Sequence, residues 1–287
     1  MRNKPNLFLV GAMKSATTSL HNYLDCHPEI FMTQEPWKEP NFFVKELNNT
    51  KGINWYLSLF DEVHEEKYIG ESSTDYTKFP NYKDAYKEIP EFSPNAKIIY
   101  IMRDPIERAV NQYWWEVQYS GEGRGMKSGI LQNDWIMNTS YYAKQIKPYI
   151  ELFGFDNVYT LTTEELIKNP NEVMENVFSW LGVSTDIAFQ KENLKVHNKS
   201  GETVDRLIGS SIISKLKGGV FWSLLKRVIK PKYRSKLLIL FSRQVAKSNE
   251  EKAAVIKALR PIMLPQVQEL SALLGRDFPE WGSLIEK

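Results

Sequence analysis

Three times along this chain a short apolar run halts at small, charged or proline residues and gives way at once to a helical pattern. The segments are NLFLVGAMKSATTSL (residues 6–20), AKIIYIMRDPIERAVNQYWW (96–115) and DNVYTLTTEEL (156–166). A β-branched run stopped by a breaker reads as a buried strand, and apolar residues recurring every three or four positions read as a helix. Leu20, Tyr23 and Leu24 keep that spacing as far as Pro28, and KYIGES (67–72) is a further strand candidate. PNEVMENVFSWLGV (170–183) has proline at its start and glycine near its end, the usual punctuation of a helix. In DNVYTLTTEEL, Thr162 or Thr163 is placed to cap a helix whose first turn carries Glu164 and Glu165. EEKAAVIKALRPIMLPQVQELSALLG (250–275) predicts closing helices. Strands alternating with helices imply an α/β fold whose central, mainly parallel sheet is flanked by helices, with ligands bound beyond the carboxyl ends of the strands.

The 287 residues are 42% hydrophobic and 13% aromatic, enough for a sizeable core and compatible with one α/β domain over 1–287. A net charge of +2 argues against a nucleic-acid partner, but it hides an asymmetry. Residues 206–249 hold eleven Lys or Arg and no acid, so the rest of the chain is net −9. That stretch is expected to be a basic helical insertion: a solvated face, a lid that attracts an anion, or, through VFWSLL and LLILF, a membrane-surface helix. The single cysteine, Cys26, excludes an internal disulfide. No apolar run reaches the length of a membrane span, and the first strand begins within a few residues of Met1. The expectation is a soluble cytoplasmic protein without stable membrane insertion.

The first junction carries chemistry. In nucleoside-triphosphate loops of the form G-x-x-x-x-G-K-[ST] the lysine follows the last glycine, whereas here Lys14 precedes the turn. The backbone physics is unchanged: amides of residues 15–19 at a helix N-terminus face an anion, and the Thr17, Thr18 and Ser19 hydroxyls add donors. Taken alone, the loop is equally an ordinary β–α turn with a solvated lysine.

Other segments decide between these. In IIYIMRDPIERAVNQYWWEV (98–117) a strand ends at Arg103-Asp104-Pro105, with Asn111 eight positions after the arginine. EPWKEPNFF (35–43) places Glu39 ahead of Pro-Asn-Phe-Phe, and GESSTDY (70–76), NTSYYAKQIKPYIELFG (138–154) and LLGRDFPEW (273–281) follow in order. Together these motifs resemble the sulfotransferases that use 3′-phosphoadenosine 5′-phosphosulfate (PAPS), nearest their glycan-modifying, heparan sulfate type and bacterial branch. The resemblance runs from about residue 6 to about residue 186 and resumes near the C-terminus. It implies the P-loop-kinase-like sulfotransferase fold, PAPS as sulfuryl donor with adenosine 3′,5′-bisphosphate (PAP) as product, no metal, and a small-molecule or saccharide acceptor.

The resemblance also assigns roles. Sulfuryl transfer needs a cation at the departing oxygen and a base for the nucleophile. By the family pattern Lys14 is the cation, and the loop residues Ser15, Ala16, Thr17, Thr18 and Ser19 surround the 5′-phosphate and sulfate. Arg103 binds the 3′-phosphate as a bidentate fork. Asn111 stands where the family has serine. Glu39 matches the carboxylate base, and an apolar wall from the following Phe42 and Phe43 would raise its pKa; without the family it reads as a loop acid paired with Lys38. Glu71, Ser73, Trp115, Ser140 and Tyr142 are candidate contacts around the acceptor and nucleotide, and of Trp114 and Trp115 one is expected in the core. Ser72 stands where some glycan enzymes carry a lysine that serves as second cation. Lys199, Ser200 and Gly201 are positioned to close over the 3′-phosphate. Arg108 is expected in a structural ion pair, and His27 in a packing or capping role. Ala16, glycine in many relatives, suits the turn only if its φ stays negative.

Two other functions remain open at this level. A kinase or other phosphotransferase on a related loop would need magnesium, and neither Gly-Lys-Ser/Thr nor an acidic metal-holding strand is visible. A non-catalytic adaptor would bind anionic surfaces through residues 206–249.

Overall fold

A computed structural model describes residues 3–83, 85–186, 203–207 and 242–285. Five strands, β1 (Leu7–Gly11), β2 (Ile30–Met32), β3 (Tyr68–Glu71), β4 (Lys97–Met102) and β5 (Val158–Thr162), form one all-parallel sheet in the order β2-β3-β1-β4-β5. Among the described residues nine α-helices accompany them in chain order: α1 (Thr17–Asp25), α2 (Ile53–Ser58), α3 (Ala85–Phe92), α4 (Pro105–Trp115), α5 (Met126–Leu131), α6 (Asp134–Thr139), α7 (Tyr142–Phe153), α8 (Thr163–Lys168) and α9 (Pro170–Leu181). Strands β6 (Thr203–Leu207) and β7 (Ser242–Ala246) pair as an antiparallel ribbon, and α10 (Asn249–Leu274) follows.

The alternation of side chains across the sheet builds a core on each face. Phe8 and Val10 of β1 and Ile98, Tyr100 and Met102 of β4 point to one side, where α7 and the C-terminal Phe278 and Trp281 pack. Leu7 and Leu9 with Ile99 and Ile101 point to the other, against α1, α8 and α9. Continuous apolar strands are what burial on both faces requires. Thr162 caps α8 through a reciprocal capping box with Glu165, and Gly182 takes the left-handed conformation that ends α9.

Three expectations change. β2, three residues closing a short PEIFM run, joins the sheet edge beside β3. The C-terminal helical pattern is one helix of 26 residues running through Pro261 and Pro265. Both prolines lie on its exposed side, where the carbonyls they leave unpaired meet water, while Val255, Leu259, Met263 and Leu270 anchor the inner side. The basic stretch is not helical at its described ends, which form β6 and β7; Val204 of β6 is buried against α4, α5 and α10. Residues 208–241, the rest of the expected insertion, lie outside the described residues. Among the described residues no helix is long and apolar enough to cross a membrane.

Candidate functional site

The site gathers at the carboxyl ends of β1, β3 and β4. β1 ends at Gly11, where a Cβ would collide with the Thr77 hydroxyl that donates to the Val10 carbonyl. The turn that follows puts Lys14 at φ 70° and Ala16 at φ 61° before α1 begins at Thr17. Ala16 is therefore left-handed, against the expectation of a negative φ. The conformation costs an alanine about 1–2 kcal/mol relative to right-handed backbone, and here the turn imposes it.

Within the loop the donors divide. The Ser15 amide is used by the Ala12 carbonyl and the Ser19 amide by the Ala16 carbonyl, so the anion-facing set narrows to Ala16, Thr17 and Thr18 at the α1 terminus. No side chain caps that terminus and no acid occupies its first turn. Among the described residues the Ser15 and Ser19 hydroxyls are buried with no hydrogen-bond partner, and so is Nε of Arg103 at the end of β4. Buried polar groups are nearly always paired, so these orphans, two around the start of α1 and one at the end of β4, fit an anionic ligand.

Arg103 makes no ion pair with Asp104. The Asp104 carboxylate is saturated: Oδ1 accepts from the Ile106 amide (3.1 Å), the Glu107 amide (3.2 Å) and Ser283 Oγ (2.5 Å), and Oδ2 accepts from the Ser283 amide (2.9 Å). The C-terminal segment thereby locks the strand end that carries Arg103. Tyr142, 1% exposed, donates to the Arg103 carbonyl at 2.7 Å, so it positions the arginine from behind and does not reach an acceptor. Ser140 is equally enclosed. It donates to the Pro105 carbonyl and accepts from Nε of Arg108, whose other nitrogens go to Gln112 and the Ile136 carbonyl. Arg108 is thus structural as expected, but with neutral partners instead of a carboxylate, and burial pulls its pKa down to about 10. Asn111 turns an amide donor to the Glu107 carbonyl of its own helix (2.6 Å).

Lys14 is half-buried with Nζ 5.5 Å from the centre of the Trp115 ring. Trp114 packs in the core, and Trp115 is the member of the pair that faces the site. Desolvation lowers the Lys14 pKa to about 8; Glu39 and Glu116 oppose the shift, and Lys78 adds to it. Glu39 accepts from Thr74 Oγ1 (3.1 Å) and lies 3.9 Å from Nζ of Lys38, with its side chain 38% exposed. The apolar wall expected beside it is absent, because Phe42 and Phe43 turn into the core, where Phe42 stacks on Tyr56 at 4.4 Å.

Glu71 and Ser73 are fully buried and do not contact an acceptor as expected. Glu71 accepts from Tyr56 (2.9 Å), Tyr76 (2.6 Å) and Ser73; burial raises its pKa to about 7 against those hydrogen bonds, with Glu39 adding to the rise. Ser73 in turn accepts from the Asn41 amide, so the pair pins the loop that presents Glu39. Lys199, Ser200 and Gly201 lie outside the described residues. Thr74, inside the quoted GESSTDY motif, was not singled out by sequence; its place at the end of β3 was the available signal. Among the described residues no three His, Cys, Asp or Glu side chains gather as a metal-holding group. His27 packs on Phe178, bonds the Ser184 carbonyl and, through Nδ1, accepts from the Glu29 amide, so it both packs and caps the turn.

Residues 4–220 match the model of the sulfotransferase domain family. The chain is 28% identical over 211 residues to the mouse bifunctional heparan sulfate N-deacetylase/N-sulfotransferase 1, covering 65% of this chain and 23% of that protein. It is 25% identical over 191 residues to mouse heparan sulfate glucosamine 3-O-sulfotransferase 3A1, covering 62% of this chain and 46% of the relative. The chain thus spans less than half the length of either relative. A crystal structure of a sulfotransferase from Alicyclobacillus acidocaldarius superposes with a TM-score of 0.67 at 24% identity, covering 98% of this chain and 99% of that one, and shares the fold.

Proposed function

Because the chain belongs to the sulfotransferase family, as the match over residues 4–220 establishes, we propose that it transfers the sulfuryl group of PAPS to a hydroxyl or amine of a small-molecule or saccharide acceptor. The observation that carries the reading is the set of buried donors, Ser15 Oγ, Ser19 Oγ and Arg103 Nε, that have no partner among the described residues, at the ends of β1 and β4. They ask for two anionic groups, and PAPS has one at each end. When bound, PAPS supplies the sulfuryl group and a phosphate leaving group.

The chain's residues then divide the work. Ala16, Thr17 and Thr18 offer amides to the 5′ end, and the Arg103 guanidinium takes the 3′-phosphate, with Asn111 beside it. Lys14 holds an ammonium where charge grows on the bridging oxygen as the S–O bond breaks; its half-buried setting strengthens that interaction. Glu39, steadied by Thr74, takes the acceptor's proton as the new bond to sulfur forms. Trp115 limits where Lys14 can swing and borders the space left for the acceptor.

Incubating the protein with 35S-PAPS and a panel of alcohols, amines and oligosaccharides tests the proposal. Label should move to at least one acceptor. Glu39→Gln should lower turnover about 10²–10⁴-fold while PAP still binds. Near-normal turnover in that variant would refute the assignment of the base.

A further inference from the structure

Lys38 is a buried cation whose ion pair with Glu39 is a long one. Its side chain is 10% exposed, yet Nζ donates only to Thr18 Oγ1 (2.9 Å) among the described residues, and the neighbouring Glu39 carboxylate is at 3.9 Å, beyond hydrogen-bond reach. An ammonium has three donors, and burying one against a single neutral acceptor is costly. Burial accordingly lowers its pKa, with Glu39 and Glu35 opposing the shift.

The placement is also fixed at both ends. The Lys38 carbonyl accepts from the Ser72 amide (3.3 Å) and from Thr33 Oγ1 (3.2 Å), so the backbone is tied to β3. The ammonium meets Thr18 in the first turn of α1, the terminus whose free amides mark the anion position. The Ser72 hydroxyl is engaged instead with Nδ1 of His21 at 2.6 Å. Burial and the charge of Lys38 hold His21 down to a pKa of about 3, so the imidazole is neutral and Lys38 is the cation on this side of the cradle. Lys14, in the loop before α1, has its Nζ 5.5 Å from the centre of the Trp115 ring.

We infer that Lys38 is the second cation of the donor site, binding the 5′-phosphosulfate beside Thr18 in addition to Lys14. The inference rests on the PAPS-binding reading above, and its test separates the two. Wild-type protein and Lys38→Met are titrated with PAP and with adenosine 3′-monophosphate, which lacks the 5′ group. Lys38→Met should weaken PAP about ten- to hundredfold, the usual worth of a hydrogen bond to a charged group. Its affinity for adenosine 3′-monophosphate should stay within about twofold, and Lys38→Arg should recover part of the loss for PAP. Equal PAP affinity in wild type and Lys38→Met overturns the inference. So does an equal loss for both ligands, which would make Lys38 a merely structural residue. Wild-type protein that binds neither ligand would instead defeat the donor-site reading itself.

Discussion

Replacing Asp104 by alanine tests the architecture behind Arg103. The carboxylate caps α4 through the amides of Ile106 and Glu107, and it receives both the hydroxyl and the amide of Ser283. Loss of an N-cap costs about 1 kcal/mol. Each hydrogen bond to a charged acceptor is worth roughly 1.5–3 kcal/mol, and the two from Ser283 are not additive because one anchor holds both. With the lower end taken for that pair, Asp104→Ala should cost about 3–4 kcal/mol in urea unfolding. Ser283→Ala, which keeps the amide bond, should cost about 1–1.5 kcal/mol. The double variant should be no more than ~0.5 kcal/mol worse than Asp104→Ala alone, leaving a coupling of at least about 0.5–1 kcal/mol. Additive losses, or a cost below ~1 kcal/mol for Asp104→Ala, would refute the claim that the C-terminal segment locks the Arg103 strand end.

Two further outcomes follow from the loop. Ala16→Gly relieves a left-handed alanine, and allowing for glycine's larger unfolded-state entropy it should raise stability by up to ~1 kcal/mol, a Tm gain of about 2–4 °C by calorimetry. A loss of stability would mean the methyl's packing against Leu20 and its neighbours outweighs the strain. The Lys14 ammonium of the free protein titrates near pH 8, and a bound anion raises that value. PAP affinity should therefore be full below pH 8 and decline as pH rises through 8. Calorimetry from pH 7 to 9.5 checks this, and Lys14→Met should flatten the decline.

The sequence made the sheet legible wherever an apolar run was long enough to be buried on both faces, as in β1, β4 and β5, and wherever punctuation was unambiguous, as at Pro170 and Gly182. It missed β2 because three residues after a proline carry no periodicity, and it broke α10 at prolines that the fold tolerates on a hydrated face. At the site, Lys14, Glu39 and Arg103 were legible because their motifs are ordered along the chain. Glu71, Ser73, Ser140 and Tyr142 were recognised as belonging together, but residue type does not reveal facing. Only packing shows that their polar atoms point at Tyr56, Tyr76, Asn41, Pro105 and Arg103. Lys38 was hidden for the same reason: a lysine beside a glutamate reads as a solvated pair until its burial is seen.

Titration of the protein with PAP in metal-free buffer tests the central claim most directly. The account predicts saturable binding at about micromolar Kd or tighter, weakened by at least tenfold in Arg103→Ala, whose guanidinium leaves a donor unpaired at the end of β4. No binding, or binding indifferent to Arg103, would contradict it.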